Sequence, residues 1–251
     1  MKSAEEYLES ITGILRAITE QEQQPIEEAA RLVASRVEED KLVHVFGSGG
    51  HSIMGAMEVF WRAGGFANVN PIFPAGLSLI DSHPNIERTT GIAYSILRYY
   101  GVGRDDVLIL INVNGINPIT IDSAMEAKKL GAKIIAITSP AFANNVPPNI
   151  SARHPSNKNL HELADIVVDA HVPAGDAILK IKGLEQTVGA SSSYAILFAA
   201  NLIFIRAAEL LIEKGIQPPI WTSANVKGGD EANKKYLKKY LPLVHHLYPM
   251  F

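Results

Sequence analysis

The sequence predicts an α/β protein, a three-layer αβα sandwich in which a parallel sheet is covered by helices on both faces. Three observations carry that expectation. Short, unbroken Val/Ile-rich runs recur along the chain, the clearest being "VLILI" at 107–111. Stretches with apolar residues at helical spacing separate them. The chain has 251 residues and is 47% hydrophobic, enough to bury a sizeable core. A strand that is apolar at every position has both faces buried, the condition of a parallel sheet between two helical layers.

The elements follow in order. From Ala4 to about Glu39 the pattern is helical, with Leu8, Ile11, Leu15 and Ile18 in one stripe and Ile26, Ala30, Val33 and Val37 in another. "QEQQP" divides the two, and Pro25 suits the first turn of the second helix. Strand-like runs follow at 42–46, 107–111, 133–138 and 165–170, with a weaker one at 67–73. Helices are expected over Ser52–Ala63, Ile86–Tyr100, Pro118–Leu130 and Ser191–Lys214. The last contains the most apolar stretch of the chain, Tyr194 to Ile212. Asn201, Arg206 and Glu209 interrupt it, so it reads as a helix buried in the core or against a sister subunit rather than a membrane span. Residues 139–159 show no clear element, and a loop of that length is usually functional or mobile. Residues 216–233 read as an arm crossing the surface.

Composition narrows the function classes. A net charge of −3 and a pI near 6.2 give no general attraction to nucleic acid or to an anionic membrane. There is no cysteine, hence no disulfide and no thiolate metal site, which suits a reducing cytoplasm. "MKSAEEYLES" lacks the apolar region of a secretory signal.

In an open parallel sheet ligands bind beyond the carboxyl ends of the strands. After the first run comes Gly47-Ser48-Gly49-Gly50-His51-Ser52. Its glycines let the backbone approach a ligand, and Ser52 stands where a helix N-cap is expected. The dinucleotide pattern is not met, because Ser52 would have to be glycine and no acidic residue ends the next strand. It is neither a Walker loop nor a nucleophile elbow. The plain alternative is a strand-to-helix turn capped by serine. After "VLILI" comes Asn112-Val113-Asn114-Gly115-Ile116-Asn117-Pro118, with Asn117 as N-cap and Pro118 as first helical residue. Thr138-Ser139 follows the next run, and Ser191-Ser192-Ser193 opens the apolar helix. Capping alone would explain several of these. No lysine or arginine accompanies them, so a small phosphorylated ligand held by N–H and O–H groups fits better than a nucleotide tail.

In order along the chain, "GSGGHS", "EVFWRAGG", "VNPI", "NGINP", "IAITS", "ARHPSNKNL", "GDAILKI" and "PPIWTSANVKGGDEAN" form a series. It resembles the sugar isomerase (SIS) family of phosphosugar-binding proteins. Within that family the match is to a bacterial branch named for phosphoheptose or phosphosugar isomerisation. The likeness runs from about Ala4 to Tyr240. It implies a five-stranded parallel sheet in a single domain over 1–251, with a helical pair at 4–39, a sheet core at 42–214 and a C-terminal arm at 215–251. It also implies a homodimer or higher homo-oligomer. The family's binding positions carry over onto Ser52, Asn112, Asn114, Gly115, Thr138, Ser139, Ser191 and Ser192, and the loop reading adds Ser48, Gly49, Gly50, His51 and Asn117 to the expected binding set. One departure stands out: Asn112 and Asn114 occupy positions where the family usually has serines. The longer amides put phosphate binding by that loop in question.

The resemblance implies aldose–ketose isomerisation of a sugar phosphate through an enediol, which needs a base and a polar group to manage the carbonyl oxygen but no metal or cofactor. Glu87, His83 and His154 are the candidates for that chemistry. Glu58 suits an ion pair with Arg62 at i+4. His161 and His171 read as surface residues, and His245-His246 lacks metal-ligand spacing. Two other functions fit the same family: a non-catalytic phosphosugar sensor, and lyase or etherase chemistry on an amino-sugar phosphate. The sensor reading lacks a basic helix-turn-helix segment ahead of the domain.

Overall fold

The computed structural model describes residues 2–78 and 82–248. Asp81, which opens the segment "DSHPNIERTTG", and the last three residues of the arm lie outside the described residues. Two helices lead the chain, α1 (Lys2–Gln21) and α2 (Gln23–Glu38). Pro25 is the third residue of α2 rather than the first, still within the turn whose N–H groups lack helical partners.

Five strands form the main sheet: β1 (Val43–Gly47), β2 (Val69–Pro71), β3 (Val107–Ile111), β4 (Lys133–Thr138) and β5 (Ile166–Asp169). Their order is β2-β1-β3-β4-β5, and every pairing is parallel. All five expected runs are strands, within a few residues of the expected bounds.

Alternation along the strands divides the core. Val43, Val45, Ile109, Ile111, Ile135 and Ile137 face one layer, which holds α2, α3 (Ile53–Val59) and α7 (Ser192–Glu213). Phe46, Leu108, Leu110, Ile134 and Ala136 face the other, which holds α4 (Ala93–Tyr99) and α5 (Pro118–Leu130). Each such Val, Ile, Leu or Phe side chain, wholly removed from water, contributes roughly 1.5–3 kcal/mol. Helix α7 is long and apolar enough to cross a membrane by composition alone, and half of its most apolar window is buried inside the fold. It packs as a core helix against α2 and α3.

Four expectations need correction. The helix expected over 52–63 is only α3, which ends before Trp61 with its left-handed φ of 38°. The helix expected over 86–100 is a 3-10 turn at Pro84–Arg88 followed by α4, with Gly91 between them at φ 85°. The stretch 139–159 contains α6 (Pro140–Asn145) and is organised by buried Arg153. That guanidinium donates to the carbonyls of Ala143 (2.7 Å), Val146 (3.1 Å), Pro147 (3.2 Å) and Asn157 (3.1 Å), and to Asn159 Oδ1 (2.8 Å). A single cation thereby satisfies carbonyls that a loop would otherwise leave to water.

The arm is more than a surface crossing. Trp221 is buried and stacks on Trp61 at 5.9 Å, forming a satellite core with Ala67, Tyr240, Val244 and Leu247. It carries the lysine-rich α8 (Gly229–Tyr240), whose Tyr236, Leu237 and Tyr240 pack into this satellite core. A separate antiparallel hairpin, β6 (Ala177–Lys180) with β7 (Thr187–Ala190), precedes α7. Neither α8 nor the hairpin is expected from periodicity.

Candidate functional site

The site is built at the carboxyl rim of the sheet. Strand β1 ends at Gly47, in register with Ile111 of β3. A β-carbon on Gly47 would run into the carbonyl of Ser52, so only glycine lets the chain fold back this tightly. Ser48 is fully buried, and its Oγ lies 2.7 Å from Thr120 Oγ1. That bond pins the loop to α5. The chain then makes a 3-10 turn at Gly50–Ser52 and enters α3. Ser52 has helical angles (φ −62°, ψ −22°) and makes no capping bond, so its hydroxyl is not spent on the helix. Because α3 has seven residues, loop amides and side chains rather than a long helix dipole set the local potential.

The second loop is braced from within. Buried Asn112 accepts from the Gly115 N–H at 2.8 Å and donates to Asn117 Oδ1 at 3.2 Å. Asn117 in turn donates to the Ala152 carbonyl at 3.2 Å and makes no capping bond to α5. Asn112 therefore spans the loop, tying Gly115 to Asn117. Asn114 accepts from the Ile116 N–H at 3.1 Å through Oδ1, and its NH2 group is left to donate elsewhere.

Between the loops lies a cleft of about 360 Å³, within the roughly 300–1,000 Å³ range of small-molecule sites. Gly49, Gly50, His51 and Ser52 line one side, and Asn112, Val113 and Asn114 line the floor. Glu87 and Arg88 come from the 84–88 turn, Asp176 from the bend just before β6 and Ser192 from α7. Phe142 and Ile196 supply an apolar wall. A β-carbon on Gly49 would lie 2.7 Å from Asn112 Nδ2 and 2.8 Å from Glu87 Oε2, so the bare backbone there is what lets Glu87 approach the loop. Burial pushes the Glu87 carboxyl above the usual carboxylate range. The Gly50 N–H donating to it and the nearby charges of Arg88 and His51 counter this only in part.

Of the residues singled out by sequence, the cleft gathers Glu87, Gly49, Gly50, His51, Ser52, Asn112, Asn114 and Ser192. The others stand behind it or away from it. Thr138 Oγ1 donates to the Val113 carbonyl at 3.2 Å, and Gly115, at φ 59°, passes directly over it. Ser139 Oγ accepts from the Val172 N–H at 2.9 Å. Ser48 and Asn117 hold their loops as described. Ser191 is buried, its hydroxyl donating to the Asp176 carbonyl at 3.0 Å.

Neither candidate histidine lines the cleft. His83 is exposed and caps the 84–88 turn, accepting from the Asn85 N–H at 3.1 Å. His154 lies 3.0 Å from Asp122 Oδ1 and 2.7 Å from Ser156 Oγ. Glu58 does pair with Arg62, at 2.6 Å. His171 is half-buried rather than at the surface, 3.0 Å from Glu22 Oε1. Among the described residues no group of three or more His, Cys, Asp or Glu side chains is placed to hold a metal.

Sequence reasoning missed Arg88 and Asp176. The expectation that no cation accompanies the loops is corrected by Arg88, whose one signal was its adjacency to Glu87. Asp176 lay in plain view in "GDAILKI", but its function as a cap depends on a helix that begins 16 residues later.

Comparison with known proteins agrees with this architecture. The SIS domain family model matches residues 6–139. The UPF0309 protein BH3325 of Halalkalibacterium halodurans is 36% identical over 94% of this chain and 97% of its own. The UPF0309 protein Teth39_1980 of Thermoanaerobacter pseudethanolicus is likewise 36% identical, over 96% of this chain and 99% of its own. Among solved structures, the phosphoheptose isomerase GmhA from Neisseria gonorrhoeae aligns with a TM-score of 0.53 at 14% identity, covering 83% of this chain and 97% of that one. That last likeness is one of fold. With a family model spanning more than half the chain and full-length relatives at this identity, the chain belongs to the SIS domain family, alongside the UPF0309 proteins.

Proposed function

We propose that the protein binds a sugar phosphate in this cleft and interconverts its aldose and ketose forms. The observation that carries the reading is Glu87: a half-buried carboxylate with a raised pKa, held by the Gly50 amide at the edge of a polar cleft. A carboxylate whose conjugate acid holds its proton more firmly is a stronger base. In the proposed reaction Glu87 takes the proton from the carbon next to the carbonyl. The electron pair moves onto the carbonyl oxygen, which takes up a proton to give the enediol; the adjacent hydroxyl then loses its proton as its carbon becomes the new carbonyl, and the same carboxyl returns the first proton to the former carbonyl carbon. In this reading His51, exposed where it lines the cleft, attends the carbonyl oxygen, while His83 and His154, candidate bases from the sequence, take no part. Ser52, Asn114 and Arg88 supply donors for the phosphate. The apolar wall of Phe142 and Ile196 suits a sugar's C–H faces.

The test is a panel of aldose and ketose phosphates incubated with the protein in deuterated water and followed by NMR. Deuterium entering at C2 is expected for at least one. Binding without exchange would turn the reading toward a phosphosugar sensor, and no binding by any member would remove both.

A further inference from the structure

Asp176 sits in a left-handed conformation (φ 65°) directly after Gly175, and its carboxylate is turned onto the start of α7. Oδ1 accepts from the N–H groups of Ser191 (2.9 Å) and Ser192 (2.7 Å). Oδ2 accepts from Ser192 Oγ at 2.7 Å. The first amides of the longest apolar helix, which would otherwise attract an anion, are thus filled by an internal one. Oδ1 is also 3.3 Å from Ser191 Oγ, whereas Oδ2 has the single bond, so an acceptor position stays open on it. Asp176 lines the same cleft as Glu87, and the other ionisable groups on that lining are Arg88 and His51. Two carboxylates are set against Arg88 and His51, so the lining suits a single anionic group, bound at Arg88 and Ser52 in the proposed pose.

We infer that Asp176 is a specificity-determining residue: it accepts a hydrogen bond from a hydroxyl or ammonium group of the ligand and rejects a second anion. The inference rests on the cleft being a sugar-phosphate site. It narrows the ligands to sugar monophosphates, neutral or amino-substituted, and excludes bisphosphates and acidic sugar phosphates such as lactyl ethers. A like charge about 5 Å away in a partly desolvated site weakens binding by roughly 10- to 100-fold.

The experiment measures dissociation constants by calorimetry for glucose 6-phosphate, glucosamine 6-phosphate and glucose 1,6-bisphosphate, with wild type and Asp176→Asn. Asparagine keeps an oxygen for the α7 amides, and circular dichroism checks the fold. Wild type is expected to bind either monophosphate at least about 10-fold tighter than the bisphosphate. Asp176→Asn should shrink that ratio about 10-fold, mainly through tighter bisphosphate binding. The wild-type ratio stands as a test even if the variant misfolds. Equal affinity for mono- and bisphosphate in wild type, or an unchanged ratio in the variant, overturns the role of Asp176 while leaving the site itself intact. If neither monophosphate binds, the sugar-phosphate site falls and this inference falls with it.

Discussion

Glu87 and His44 are both ionisable side chains whose pKa is moved chiefly by burial, yet their surroundings are opposite. Glu87 stands at the carboxyl rim of the sheet, against glycine backbone, with a cleft in front of it. His44 lies near the amino end of β1 and is 3% exposed. Its Nδ1 accepts from Asn70 Nδ2 at 3.2 Å, and the same amide donates to the Tyr100 carbonyl at 3.1 Å. Asp106, 3.7 Å from Nε2, favours the charged ring, but desolvation outweighs it and takes His44 down to about 4. The C-terminal segment closes the region from outside, with Tyr100 Oη 2.7 Å from His246 Nε2 and His245 stacked on Tyr99 at 4.7 Å. A shifted pKa alone therefore does not mark a site. The shift at the rim faces open volume, whereas the shift at the amino end is sealed by packing.

The sharpest way to break this contrast is Glu87→Gln. If the rim carboxylate is the base, deuterium exchange into substrate should fall by about 10²–10⁴-fold, with thermal stability unchanged or higher. The acid limb of kcat/KM should vanish with it. In wild type that limb rises with pH through a pKa above the ordinary carboxylate value, because the base must be ionised. Persistence of exchange in the variant would move the base elsewhere.

Acid should act on the other region. His44 is neutral in the fold down to about 4, whereas the unfolded chain takes up its proton near 6.5. The stability it contributes is thus whole above pH 6.5 and is lost as pH falls toward 4, by about 3 kcal/mol in all. His246, also lowered by burial, adds in the same direction. Urea unfolding at pH 7 and pH 4.5 measures the loss, and His44→Gln should flatten it. An equal slope in the variant would show that carboxylates carry the acid transition.

Gly49→Ala tests whether the approach of Glu87 depends on bare backbone. The added methyl meets Asn112 and Glu87, so a loss of about 1–2 kcal/mol of stability is expected from overpacking. Displacing the base by about 1 Å should slow exchange by up to 100-fold. The smallest effect belongs to Ser52→Ala, which removes one donor from the phosphate side. Dissociation constants for a sugar monophosphate should rise by about 10-fold, with the unfolding midpoint unmoved. Unchanged affinity would take Ser52 out of the site.

Much of this was legible in the residues. The unbroken runs at 107–111 and 133–138, and the Asn117-Pro118 entry to α5, need no tertiary information, because a strand buried on both faces must be apolar throughout and Pro tolerates the first helical position. The glycine loop was legible for the same kind of reason, since its tight return excludes a β-carbon. What the hydroxyls and amides near the rim actually do was not. Ser48, Thr138, Ser139 and Asn117 have the composition of a ligand site, but their partners are Thr120, Val113, Val172 and Ala152, chosen by how the loops stack.

By itself the sequence determined the layers, the strand set and the edge of the sheet where the loops converge, since these follow from periodicity and local backbone preference. Only the tertiary structure decided which polar groups face the cleft and which hold it up. Hydrogen bonds between residues far apart in the chain depend on the path of intervening loops, and no local pattern records that path. Arg88 joining Glu87 at the rim, Asp176 reaching α7, and His83 and His154 turning away from the cleft are all consequences of it.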